Sequence, residues 1–198
     1  MSKINKIIEL GPKNFSICLV KKLYYSQLRN KFKFDSWHAS APFECRSYKQ
    51  IIVNIANDLN VNVVAEVGCG LGEIVSRVKS HKKYGIDIEK EVISAANHLY
   101  SQKVKFLVGS FEKILEIEES KVDLLICVNW MHGMESQTLT DSIMNLIAQN
   151  KVHYLLFDRI RKDQANYKFK HDFEASFGTV AKKISSFQGG KEGVRTLE

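Results

Sequence analysis

The chain has 198 residues, 44% of them hydrophobic, and carries 29 Lys or Arg against 22 acids for a net charge of +7. That is enough apolar material for a sizeable core. No apolar run approaches the roughly 20 residues of a membrane span, and the first ten residues lack the continuous apolar core of a signal peptide, so a soluble, cytoplasmic protein is expected.

Residues 1–45 read as an N-terminal extension. Within it, Phe32, Phe34, Trp37, His38, Phe43 and Glu44 gather aromatic, imidazole and acidic groups in a short stretch. Residues 46–60 place Ile51, Ile52, Ile55, Ala56 and Leu59 on one helical face. An apolar strand follows over 63–67, then a helix over 72–80, a strand over 82–87, a helix over 89–100 and a strand over 104–108. The alternation continues with a short helix over 111–118, an almost wholly apolar strand over 122–128, a helix over 136–150 and a strand over 152–158. Such an apolar run is typical of a central parallel strand. After a helix over 168–177, residues 180–187 and 194–197 read as an antiparallel hairpin around the Gly189-Gly190 turn. The pattern is a doubly wound α/β sheet.

The Cys18, Cys45, Cys69 and Cys127 thiols are far apart, without Cys-x-x-Cys spacing. Reduced structural cysteines and no metal site are therefore expected. No repeat or low-complexity segment interrupts the chain.

The most specific signal is Glu66-Val67-Gly68-Cys69-Gly70-Leu71-Gly72-Glu73 after the first strand. A dinucleotide fingerprint requires Gly-x-Gly-x-x-Gly, but its third glycine position is held here by Glu73. The arrangement resembles instead the first motif of the class I S-adenosylmethionine-dependent methyltransferases, (Asp/Glu)-x-Gly-x-Gly-x-Gly. The chemistry suits a ligand without a pyrophosphate: glycines admit the ligand close to the backbone, and a carboxylate can face an ammonium group. The resemblance implies S-adenosylmethionine as cofactor, with S-adenosylhomocysteine as product, and Glu66, Gly68, Cys69, Gly70 and Gly72 as cofactor-binding residues.

Asp87 closes the second strand, nineteen residues beyond Gly68, where an acid can accept both ribose hydroxyls. A cap for the following helix is the structural alternative. The resemblance places the ribose carboxylate at Asp87, an adenine contact at Ile88 and further cofactor contacts at Ser110, Phe111 and Asn129. Ser110 stands where the family often has an acid. The family also implies a seven-stranded, mostly parallel sheet with an antiparallel C-terminal strand, a cofactor domain over 46–198 and a helical lid over 1–45.

For chemistry, the segment Asn129-Trp130-Met131-His132-Gly133-Met134 follows the fourth strand and lacks the Pro-Pro-aromatic motif of amino-group methylators. His132 is a candidate general base, with His38 as a second, because an imidazole titrates near neutrality; a loop histidine and an aromatic fastening are the respective alternatives. Asp158, at the end of the fifth strand, is a competing base or metal candidate, with a structural cap for the following segment as the alternative. Charge is uneven: residues 1–60 carry +6, 61–150 carry −3 and 151–198 carry +4. Basic flanks around an acidic centre suit an anionic substrate. The expected acceptor is a small or medium molecule such as a sugar or another hydroxyl-bearing metabolite; RNA methylation and a non-catalytic cofactor-binding subunit are the alternatives.

Overall fold

Five strands run parallel in the computed structural model, which describes residues 3–40, 42–160, 167–180, 187–188 and 195–197. They are β1 (Val63–Val67), β2 (Lys82–Asp87), β3 (Lys105–Val108), β4 (Val122–Cys127) and β5 (Val152–Ile160). Two short strands, β6 (Phe187–Gln188) and β7 (Arg195–Leu197), extend the sheet to the order β3-β2-β1-β4-β5-β7-β6, with β7 antiparallel to both neighbours. Most of the residues expected to form the C-terminal hairpin lie outside those described.

Alternation along the strands builds two apolar layers. Val64, Leu124, Ile126 and Leu156 face one side, where α3 (Ser47–Asp58) and α4 (Lys90–Tyr100) cover them with Ile52, Ala56, Ile93 and Ala96. Ala65, Val67, Leu125, Cys127 and Phe157 face the other. There α5 (Glu112–Leu115), α6 (Ser136–Ala148) and α7 (Phe173–Phe177) contribute Ile114, Leu139, Ile143, Phe173 and Phe177. Helices on both faces explain why the central strands read as continuous apolar runs. The Asp123 carboxylate accepts the Asn62 and Val63 N–H groups at 2.8 and 2.9 Å, tying the start of β1 to β4. The strand order reverses between β1 and β4, so their carboxyl ends open the crevice in which α/β sheets bind ligands.

Three expected helices are shorter in the structure. The one expected over 72–80 is a turn followed by a 3-10 segment at Val75–Arg77. Gly72 has φ +73 and cannot start an α-helix, and Val78 is already extended. Residues 111–118 contribute only α5, and residues 168–177 only α7, whose Asp172 caps it by accepting the Ala175 N–H at 3.1 Å.

The N-terminal residues form α1 (Lys3–Phe32), bent at Gly11 ahead of Pro12, then α2 (Ser36–Ser40) and a 3-10 turn at Phe43–Cys45. Lys33 ends α1 in a left-handed conformation, its N–H bonded to the Arg29 carbonyl at 2.7 Å. Tyr25, Leu28, Phe34 and Ala39 pack with Leu71, Val92 and Ala95, so this arm lies on the glycine turn and α4. Cys18 and Cys45 are joined in a disulfide between α1 and the 3-10 turn, which corrects the expectation of four reduced thiols. Sequence spacing could not show this, because packing of the arm brings the two together. Cys69 and Cys127 are free and buried, as expected for core thiols. Among the described residues, no helix is long and apolar enough to cross a membrane.

Candidate active site

A cavity of about 440 Å³ opens at the carboxyl ends of β1, β2 and β4. Its floor is the turn after β1, where Gly68 and Gly70 hold φ values of +70 and +53 that side chains rarely adopt. Both glycines also meet close neighbours. A Cβ on Gly68 would fall 2.2 Å from the Trp130 ring, and one on Gly70 would fall 3.0 Å from the His38 ring. The Trp130 indole is fixed across Gly68 by its Nε1–H, which donates to the Val67 carbonyl at 2.7 Å. Gly72 serves packing instead, because a Cβ there would fall 2.6 Å from Phe106.

Asp87 joins the turn to the second strand. Its Oδ2 accepts the Gly70 N–H at 2.9 Å and its Oδ1 accepts the Glu89 N–H at 3.1 Å. The N-cap of α4 is Glu89, so the expected alternative of Asp87 as the helix cap does not describe the structure. Each Asp87 oxygen keeps acceptor capacity beyond its one backbone bond, which fits a vicinal diol at the cavity wall. Ile88, 73% exposed, follows at the mouth.

Glu66 lies at the bottom, 2% exposed, and its Oε2 accepts the Val75 N–H at 3.0 Å. Burial, reinforced by Asp87 and Glu73, pushes Glu66 up to about 8 against the opposing Val75 bond and Lys49. A cationic group delivered beside it would stabilise its ionised form. The glycine turn, the buried acid and the diol-facing acid therefore fit the amino-acid and ribose parts of S-adenosylmethionine.

Glu73, marked in the sequence only by occupying the third-glycine position, is the anchor of the arm. It accepts the Tyr25 hydroxyl at 2.7 Å, the Phe43 N–H at 2.9 Å and the Lys49 ammonium at 2.8 Å. Although burial raises its pKa, Lys49 and these donors hold it below the usual carboxylate value. Lys49 is correspondingly raised by Glu73 despite its own burial. Four segments thus converge directly behind the glycine turn. Nothing in the spacing of Tyr25, Phe43 and Lys49 signals this.

The short helix α2 brings His38 over Gly70. Its Nδ1 lies 2.9 Å from Asp35 Oδ1, which also accepts the His38 backbone N–H at 3.1 Å. Burial raises the Asp35 pKa, but these bonds outweigh it and hold Asp35 low. With Nδ1–H donated to a carboxylate, Nε2 is the basic nitrogen. Glu89 completes a group with Asp35 and His38 whose ligand-type atoms lie within 4.8 Å of one another. Burial raises Glu89, and Asp35 and Asp87 add to the rise against the opposing effect of His38.

Of the residues singled out in the sequence, Glu66, Gly68, Cys69, Gly70, Asp87, Ile88, Ser110, Asn129 and His38 line this cavity, with Trp37 and Trp130. Gly72, Phe111 and His132 are not among its lining residues. Phe111 is buried in the core beside Trp130, at 5.7 Å between ring centroids. His132 stacks edge-on against Tyr167 at 4.8 Å. The loop that carries it is held by His171, whose Nε2 lies 2.8 Å from the Met131 carbonyl and whose Nδ1 lies 3.0 Å from Ser136 Oγ. Since a carbonyl only accepts, Nε2 carries the proton and Ser136 donates to Nδ1. Asp158 accepts the Asn129 N–H at 2.7 Å, so it supports the loop from the end of β5.

A family model described as a methyltransferase domain matches residues 57–195. No curated protein matches the sequence. Among solved structures, the magnesium protoporphyrin IX methyltransferase of Synechocystis PCC 6803, crystallised with bound SAM, superposes with a TM-score of 0.61 at 14% identity, covering 90% of this chain and 93% of that one. The N-methyltransferase NodS of Bradyrhizobium japonicum WM9 gives 0.59 at 13% identity, covering 76% and 93%. The protein WbdD gives 0.57 at 20% identity, covering 77% of this chain and 40% of that one. These likenesses show the fold, and the family match covers most of the chain. The chain belongs to the methyltransferase-domain family, with the Rossmann-like architecture of its class I members.

Proposed function

We propose that this protein is an S-adenosylmethionine-dependent methyltransferase that methylates a hydroxyl of a small or medium acceptor such as a sugar. The observation that carries the reading is the convergence of Glu66, the Gly68-Cys69-Gly70 turn and Asp87 on one cavity whose remaining wall holds His38 and Trp130. Glu66 takes the ammonium end of the cofactor and Asp87 the ribose hydroxyls, with Gly68, Cys69 and Gly70 beneath and Ile88, Ser110 and Asn129 at the sides. The bound cofactor supplies an activated methyl group.

The residues then have to hold the acceptor oxygen in line and remove its proton. Alignment at roughly 3 Å can supply much of the acceleration. His38 is the base in this reading: its Nε2 faces the cavity and Asp35 fixes the ring and stabilises the imidazolium. Asp35 acts through His38 and is a positioning residue. His132, set against Tyr167, is the alternative base, and a rate comparison of the two alanine variants separates them.

The location in this proposal is the cytoplasm, where the Cys18–Cys45 bond must withstand a reducing thiol pool. The reading is tested by incubating the protein with S-adenosylmethionine and a panel of hydroxyl-bearing metabolites and measuring S-adenosylhomocysteine release. Turnover that needs His38 supports it. Tight cofactor binding with no turnover, and indifference to His38→Ala, would favour a non-catalytic binding subunit instead.

A further inference from the structure

The +7 net charge of the chain equals that of α1 together with Lys33, the residue that ends it. Residues 3–33, essentially α1, hold eight Lys or Arg against Glu9 alone, and the rest of the chain carries 21 basic and 21 acidic residues. Along the same helix Leu19, Val20, Leu23 and Tyr24 are exposed by 48%, 66%, 70% and 41%. These four recur at the i, i+1, i+4, i+5 positions of a helical face. They are not needed to attach α1, because Cys18, Tyr25 and Leu28 on its other side are buried against the body of the protein.

We propose that this outer face of α1 docks on an anionic lipid surface, its aliphatic residues entering the headgroup boundary while its basic residues meet the lipid charges. Both properties are required of an interfacial helix, since one weak signal rarely holds a protein to a bilayer. Lys13 and Lys31 are exposed on the same face of the helix, one before and one after the stripe. A second copy of the chain is a poorer occupant, because two helices each carrying the excess charge of the molecule repel. RNA is also a poorer fit: phosphates match the lysines, but Leu19, Val20 and Leu23 offer no ring on which a base stacks.

The test is co-sedimentation of the full chain with vesicles of phosphatidylcholine alone or with about 30 mol % phosphatidylglycerol. Binding is expected only to the anionic vesicles, and it should be lost at about 0.5 M salt, where the screening length falls to about 4 Å. Val20→Glu with Leu23→Glu should weaken binding at least about tenfold, since both apolar insertions are replaced by charges facing anionic lipid. Reversing Lys13 and Lys31 to Glu should weaken it by at least about 25-fold, at about fivefold or more for each basic residue near the surface. All these residues lie outside the cavity, so unchanged S-adenosylhomocysteine binding verifies that each variant is folded. Equal affinity for neutral and anionic vesicles would overturn the proposal. So would no binding to either, RNA binding in place of vesicle binding, or a dimer that Leu23→Glu converts to a 22.6 kDa monomer.

Discussion

Tyr25 donates a 2.7 Å hydrogen bond across 48 residues of sequence to the buried carboxylate of Glu73. The contact joins the N-terminal helix to the glycine turn, and with Lys49 and Phe43 it makes the arm part of the site. Removing one partner of a buried ion pair costs about 3–5 kcal/mol, mostly through the charge left behind. Glu73→Ala should therefore destabilise the protein by about that amount. Tyr25→Phe should cost about 1.5–3 kcal/mol, the value of a hydrogen bond to a charged group. Denaturant midpoints measure both, and a Glu73→Ala protein as stable as wild type would contradict the anchoring role.

Glu66 gives the binding reaction a proton signature. With its pKa pushed up to about 8 in the free protein, Glu66 is largely protonated at pH 7. A ligand ammonium beside it favours the carboxylate, so cofactor binding at pH 7 should release up to about one proton. Calorimetry in buffers of different ionisation enthalpy reads this number, and proton uptake would refute the assignment.

The same group sets a stability slope. Its folded pKa lies above the unfolded value of about 4.3, so between those values the folded state binds more protons than the unfolded state. Glu66 therefore stabilises the free protein below about pH 4 relative to higher pH, and this contribution is lost as pH rises toward 8. Glu66→Gln should flatten the fall in thermal midpoint across that window, and an unchanged slope would show that Glu66 titrates normally.

His38 and His132 are separable by kinetics. If His38 is the base, His38→Ala should lower kcat about 10²- to 10⁴-fold with little change in cofactor affinity. Asp35→Asn should lower kcat less and move the pH profile of kcat, because it leaves the imidazole in place but weakens its imidazolium. The His132→Ala variant should lose less than His38→Ala. The reverse ranking would place the base after β4.

The disulfide can be tested alone. Cys18 and Cys45 are 27 residues apart, and closing a loop of that order stabilises by about 2–4 kcal/mol. Cys18→Ser with Cys45→Ser should lower stability by about that amount. Equal stability would mean that the arm's apolar packing suffices without the bond.

Local patterns carried the sheet well. The strand over 82–87 has the expected bounds, and the central run at 122–128 differs from β4 by one residue, because a strand buried on both faces must be apolar throughout. The placement of Glu66, Gly68, Gly70 and Asp87 around one cavity was likewise legible, because spacing to the carboxyl ends of strands fixes position. The sequence was silent on Tyr25, Lys49 and His171, whose roles depend on packing between distant segments. It misplaced the helix after Gly72, since hydrophobic periodicity does not reveal that Gly72 is needed at positive φ and against Phe106. The Cys18–Cys45 pair is the same kind of failure: two cysteines acquire a relation only when the arm docks.

S-adenosylmethionine binding in this cavity underlies every functional role assigned to these residues. Calorimetric titration of wild type and Asp87→Ala with S-adenosylhomocysteine, using NAD as control, tests it. The prediction is saturable binding of S-adenosylhomocysteine alone, weakened at least about tenfold by loss of a charge-assisted diol contact worth about 1.5–3 kcal/mol. Binding of NAD alone, or of neither compound, would contradict the cofactor assignment.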